Sequence, residues 1–219
     1  MTTTRYAMIP WPLAGIFIAV ALVAQDTLLT ALGANPPLAQ TAYRILVWTI
    51  GIASFTLLVL PPRRAAYALG FVVCAALMGW ALWLQYGLDL EPCPLCVFQR
   101  IAVIATGVVC LVAAIQNPGR TGATLYALLI FVAAGTGAAL AAWHVWIQAQ
   151  PKGAVAACGM GLNYMLETLP LTEVIGRVLK GSGECAEQGW LLLGLAIPSW
   201  TFVFFIAMIA AAIAVVRRD

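Results

Sequence analysis

The chain has 219 residues, 63% of them hydrophobic and 9% charged, with a mean hydropathy of +0.99. No water-soluble globule of that size can hide so much apolar surface, so the composition specifies a polytopic membrane protein with the lipid bilayer as its solvent. The net charge of +3 comes from short basic clusters between apolar runs, which read as topology signals and argue against nucleic acid as a partner.

The first run, about Trp11 to Leu32, follows Arg5 and is long enough to cross the hydrocarbon, with Gln25 and Asp26 interrupting it. Ala19-Val20-Ala21 offers the small-residue cleavage pattern of a signal sequence, but the run continues past it and a second follows, which favours a retained helix over a processed leader. Asn35-Pro36-Pro37 turns the chain into a second run, Tyr43 to Leu60, which ends at Pro61-Pro62-Arg63-Arg64. A third run, Ala66 to Tyr86, and a fourth, Val97 to Ile115, form a hairpin with Glu91-Pro92-Cys93-Pro94-Leu95-Cys96 at its tip and Asn117-Pro118-Gly119-Arg120 at its end. The fifth run, Ala123 to about Ile147, finishes in Trp143-His144-Val145-Trp146, where the tryptophans suit an interfacial aromatic belt. Gln148 to Trp190 is polar, and the last run, Ile197 to Val216, is closed by Arg217-Arg218-Asp219.

Arg63, Arg64, Arg120, Arg217 and Arg218 fall on one side of this arrangement, which the positive-inside rule makes cytoplasmic. Arg5 agrees, and Arg44 is a mild violation. Six spans with both termini cytoplasmic result, and the cysteine motif and the long loop face outward together. Within that loop, Leu166, Leu169, Val174, Ile175, Val178 and Leu179 are interspersed with Glu167, Glu173, Arg177 and Lys180, a pattern for one or two short amphipathic helices on the bilayer, divided at Pro170.

The six cysteines fall into two groups. Cys74 and Cys110 lie inside apolar runs and read as inert small hydrophobes. Cys93, Cys96, Cys158 and Cys185 all lie in the outward polar segments, which implies disulfide chemistry in an oxidising compartment. Cys93 and Cys96 have the C-x-x-C spacing of an easily reduced disulfide, and a helix beginning near Cys96 would favour its thiolate. Arg100, at i+4 from Cys96, shares its helical face, where it can stabilise a thiolate or donate to a carbonyl. A guanidinium snorkelling to the headgroups is the plainer reading of Arg100, and an interfacial histidine that of His144. Cys158 and Cys185, the latter behind Gly181-Ser182-Gly183, fit either a mobile electron-shuttling pair or a plain disulfide stapling the loop.

An all-thiolate zinc site would normally draw on two C-x-x-C knuckles, and only one is present, so no metal is expected. Haem c attachment would need histidine where Val97 stands. A non-catalytic membrane protein with a structural loop disulfide or a four-cysteine zinc site is the alternative, but it leaves the C-x-x-C pair, Arg100 and the cysteine loop unrelated. An oxidoreductase uses all of them, because electrons from dithiol oxidation need an acceptor and a C-x-x-C at the hydrocarbon boundary can meet a lipid-soluble quinone, with Arg100 and His144 polarising its carbonyls.

From about Arg63 to Arg218 the chain resembles the disulfide bond formation protein B family, DsbB, of bacterial inner membranes. The resemblance rests on Glu91-Pro92-Cys93-Pro94-Leu95-Cys96 through Gln99-Arg100, on Met165-Leu166-Glu167-Thr168-Leu169-Pro170-Leu171, on Gly181-Ser182-Gly183-Glu184-Cys185-Ala186-Glu187, and on Leu193-Gly194-Leu195-Ala196-Ile197-Pro198-Ser199-Trp200. It implies an all-α protein with a four-helix redox domain over 63–219, periplasmic loops at 87–97 and 148–196, and a two-helix N-terminal extension over 1–62. It implies essential pairs Cys93/Cys96 and Cys158/Cys185, and a periplasmic DsbA-type thiol oxidase that forms a transient mixed disulfide at Cys158. Electrons would then pass from Cys185 to Cys93/Cys96, and from Cys96 to ubiquinone or menaquinone. Arg100 matches the family's quinone-site arginine and His144 a histidine near it, with Gln99 and Leu95 completing the expected cofactor-binding set. Residues 1–62 lie outside the resemblance, and Gln99 stands where the family carries an acid.

Overall fold

An apolar segment in lipid must satisfy its backbone internally, and the runs that follow Pro62 do so as helices. The computed structural model describes residues 62–89, 92–150, 167–180, 191–192 and 195–217, together with Thr41, Arg44, Ile45, Trp48, Thr49, Ile52 and Cys185. In chain order the elements are α1 (Arg63–Gly87), α2 (Pro94–Gln116), α3 (Arg120–Gln148), the short α4 (Leu171–Lys180), strands β1 (Leu191–Leu192) and β2 (Leu195–Ala196), and α5 (Ile197–Arg217). Four of them, α1, α2, α3 and α5, are long and apolar enough to cross a membrane. Of the two spans expected over 1–62, only the six positions between Thr41 and Ile52 are described, and all six are helical.

The helices match the four later apolar runs, with ends set by local chemistry. α2 begins at Pro94 and not at Val97, because proline is well suited to the first turn, where its missing N–H has no helical partner to lose. It stops at Asn117, which adopts a left-handed conformation (φ 42°) and returns its backbone N–H to the Ala113 carbonyl. α4 follows Pro170, and Val174 and Val178, one turn apart, are its buried face.

The β1–β2 pairing was not anticipated by the all-α reading. Leu191 pairs with Ala196 and Leu192 with Leu195 in antiparallel register. This small ladder satisfies backbone groups of an apolar segment that is not helical and lies directly before α5.

α3 packs along α5, α1 along α2, and α2 along α3, while α4 rests against α2. Small residues let the backbones approach, as is usual where lipid supplies no hydrophobic drive between helices. At Gly107 an added Cβ would lie 3.0 Å from the Cys74 Cβ, and at Gly137 it would run into the ring of the fully buried Phe205. Leu69, Val72, Leu125, Leu128, Val132 and other large apolar side chains are exposed on the outside of this bundle, an apolar surface suited to lipid. The chain is a multi-pass membrane protein.

The helix ends sort by chemistry. Arg63 donates to the Pro118 carbonyl at 2.6 Å, tying the start of α1 to the α2–α3 turn beside Arg120. At the other end lie the cysteine motif and two tryptophan pairs, Trp80 with Trp83 (5.1 Å between centroids) and Trp143 with Trp146 (4.6 Å).

Candidate redox site

The first turn of α2 builds the site. Cys93 is its N-cap residue, and its Sγ accepts from the Cys96 backbone N–H at 3.4 Å, one of the amides that a helix start leaves without an internal partner. The Cys93 and Cys96 sulfurs are 2.9 Å apart, so a small closing movement reaches the roughly 2.05 Å of a disulfide. Cys96, Gln99, Arg100 and Val103 recur at helical spacing and line the same cleft, which is the face expected for Arg100.

That cleft, about 820 Å³, is lined by α1, α2 and α5, with Ile130, His144 and Gln148 from α3. Its walls are mainly apolar, among them Met78, Leu84, Val103, Phe204 and Met208, and its polar groups gather at the cysteine end. Arg100 is held there from α1: it donates to the Gln85 side chain, and its second terminal nitrogen donates to the Ala81 carbonyl at 3.2 Å. Two acceptors on α1 thus hold the guanidinium at the cysteine end of the cleft. Gln85 was not singled out in the sequence. Its signal was available, as a lone amide in the last two turns of an otherwise apolar helix.

α3 contributes His144, which is 2% exposed, and α2 contributes Gln99 at 4%. The His144 Nδ1 is 3.2 Å from the Gln99 carboxamide nitrogen. Its Nε2 is 3.1 Å from the Cys185 carbonyl oxygen and 3.9 Å from the Cys93 Sγ. His144 is therefore a buried hub and not a lone interfacial side chain. Ligand-type atoms of Cys93, His144 and Cys185 all come within 4.8 Å of one another. A structural zinc site takes four such ligands, and the same convergence equally serves sulfur-to-sulfur exchange, which needs no ion.

Cys185 thus joins the Cys93/Cys96 pair although 89 residues of sequence numbering separate it from Cys96. Beneath them, Leu95, Ile147, Val174 and Val178 form an apolar cluster with Cys93 and Cys185. Leu95, expected at the cofactor site, is fully buried in this cluster and does not line the cleft. Cys158 lies outside the described residues. Cys74 and Cys110 sit in the mid-bundle core among alanines, Tyr67 and Phe205, as small hydrophobes.

The family model described as "Disulfide bond formation protein DsbB" matches residues 63–215. The chain is 53% identical over 157 residues to "Disulfide bond formation protein B" of Hahella chejuensis, covering 71% of this chain and 95% of that protein. It is 48% identical over 145 residues to the protein of that name from Methylobacillus flagellatus (66% and 87%), and 50% identical over 143 residues to that from Nitrosococcus oceani (65% and 85%). From residue 63 onward, the chain belongs to the DsbB family of disulfide bond formation proteins.

Proposed function

We propose that the protein is a thiol:quinone oxidoreductase of the bacterial inner membrane that reoxidises a periplasmic DsbA-type dithiol oxidase. The observation that carries this reading is the approach of Cys185 and Cys93 to within 4.8 Å at the polar end of an apolar cleft. The basic helix ends then face the cytoplasm and the cysteine loops the periplasm. Residues 63–219 form the redox domain and 1–62 an N-terminal extension.

The exchange steps need only the partner dithiol and the protein's own two disulfides until the last. A thiolate of the reduced partner attacks Cys158 of a Cys158–Cys185 disulfide; the S–S bond breaks and its electron pair leaves on Cys185. The Cys185 thiolate attacks Cys93 of a Cys93–Cys96 disulfide, making a Cys93–Cys185 bond and leaving the pair on Cys96. The partner's second thiol then resolves the mixed disulfide, releasing oxidised partner and Cys158 thiolate, which attacks Cys185 and leaves the electron pair on Cys93. The residual Cys93/Cys96 dithiol carries two electrons and two protons.

A ubiquinone or menaquinone held in the cleft would supply the two-electron acceptor for this dithiol. The cleft fits such a molecule: apolar walls suit an isoprenoid tail, and Arg100, oriented by Gln85 and Ala81, presents donors beside Cys96. Gln99 and His144 flank the same end, and Leu95 backs the first turn of α2 from the buried side.

The test is quinone absorbance on mixing purified protein with a reduced DsbA-type donor, repeated with Cys93→Ala and Cys158→Ala. Quinol formation by wild type and its loss in both variants is expected. Folded wild type that forms no quinol with either quinone class would overturn the reading and make zinc content the next measurement.

A further inference from the structure

The environment of His144 assigns it a role different from carbonyl polarisation. A backbone carbonyl oxygen can only accept, so the nitrogen 3.1 Å from the Cys185 carbonyl, Nε2, carries a proton and donates it. In a neutral imidazole Nδ1 is then the acceptor, and the group facing it at 3.2 Å is the NH2 end of the Gln99 carboxamide, a donor. The two contacts agree: one amide fixes one tautomer. Both side chains are more than nine-tenths buried, so water does not compete for either bond.

Cys185 belongs to the connection between α4 and β1, whereas Cys93 is fixed at the head of α2. The His144 bond ties the Cys185 backbone directly to α3, and the same N–H lies 3.9 Å from the Cys93 sulfur. We infer that His144, locked as the Nε2–H tautomer by Gln99, is a positioning residue for the Cys185–Cys93 exchange: it anchors the Cys185 peptide so that its sulfur meets Cys93. The role rests on the thiol:quinone reading above and adds to it a residue pair dedicated to the inter-loop step. Anchoring matters because disulfide exchange requires the attacking sulfur to approach along the existing S–S bond, and a misplacement of about 1 Å costs on the order of a hundredfold in rate.

His144 is the single histidine of the chain, so a 15N-histidine spectrum of the full-length protein in lipid reports on it alone. The Nε2–H tautomer is expected in wild type. Gln99→Leu leaves the Cys185 carbonyl as the one contact favouring Nε2–H and should let only a minor Nδ1–H fraction appear, and Gln99→Glu, whose carboxylate only accepts, should move a proton to Nδ1. A wild-type spectrum showing the Nδ1–H tautomer, or one unmoved by both Gln99 variants, overturns the inference without any kinetic measurement.

The kinetic test follows Cys93–Cys185 formation after rapid mixing with reduced donor, by acid quench and mass spectrometry. His144→Leu should slow it about a hundredfold. His144→Gln, whose amide nitrogen can sit near the Nε2 position, should recover most of that loss. Equal slowing by Leu and Gln, or a defect seen only as a raised quinone KM, overturns the assignment. The outcomes separate from those of the parent reading: absence of quinol from wild type removes the oxidoreductase but leaves the tautomer result standing, and normal quinol formation with the wrong tautomer removes only the role of His144.

Discussion

Among the described residues the bundle buries cysteines in two places, and their surroundings differ sharply. Cys74 and Cys110 are 3% and 1% exposed in the mid-bundle core; Cys93 and Cys185 are 9% and 1% exposed at the motif end. Burial therefore does not distinguish them. What differs is the company: a Cβ at Gly107 would meet Cys74 and one at Gly70 would meet Cys110, so alkyl groups and closely approaching helix backbones surround those thiols. At the motif end each sulfur has a polar neighbour or a second sulfur close by, namely the Cys96 amide and His144 Nε2 at Cys93, the Cys93 sulfur at Cys96, and a His144 ring nitrogen and the Cys93 sulfur, both within 4.8 Å, at Cys185. A buried thiol becomes useful when donors surround it and a second sulfur is within reach.

The sharpest way to break that contrast is to remove a motif-end sulfur. Cys93→Ala should abolish quinone reduction while still allowing a partner adduct through Cys158, detected as a mixed disulfide on a non-reducing gel. Full quinone reduction by this variant would remove the proposed order of transfer. Arg100→Ala should raise the quinone KM by roughly tenfold or more, the worth of one or two hydrogen bonds to a charged group, with both disulfides still formed. Gln85→Leu should reproduce part of that rise, because it frees the guanidinium from one of its two anchors. An unchanged KM in both would return Arg100 to the status of an interfacial anchor.

The four later helices were legible because their apolar runs are long and their ends are punctuated by proline, glycine and arginine. The C-x-x-C motif and the face shared by Cys96 and Arg100 were legible for the same local reasons. What did not show in the sequence is what depends on packing. Cys185 and Cys93 share one buried cluster with Val174 and Val178 of α4, a packing that no periodicity reports. The His144–Gln99 pair joins two helices, and Leu95 turned inward because the first turn of α2 buries the side that α4 and Ile147 cover. The β1–β2 ladder was missed because four residues of mixed strand and helix character carry no pattern.

The core end of the comparison can be broken sterically. Gly137→Ala places a methyl group into the Phe205 ring, and since an aromatic ring cannot shorten, α3 and α5 must separate. A loss of about 1–3 kcal/mol is expected, read as earlier thermal unfolding in detergent, with Phe205→Leu in the same chain restoring much of it. If Gly137→Ala unfolds like wild type, the close α3–α5 approach is not what holds the bundle.

The smallest effect belongs to Cys74, and it tests the contrast from the side of silence. Cys74→Ala removes one buried sulfur packed against Gly107, a change of about 1 kcal/mol in stability. Because Cys74 neither lines the cleft nor approaches another polar group of the site, quinol formation and the reactivity of the remaining thiols should match wild type. A Cys74→Ala protein that folds normally but transfers electrons slowly would mean that the mid-bundle thiol is coupled to the motif end. The distinction would then rest on something longer in range than the polar neighbours each sulfur touches.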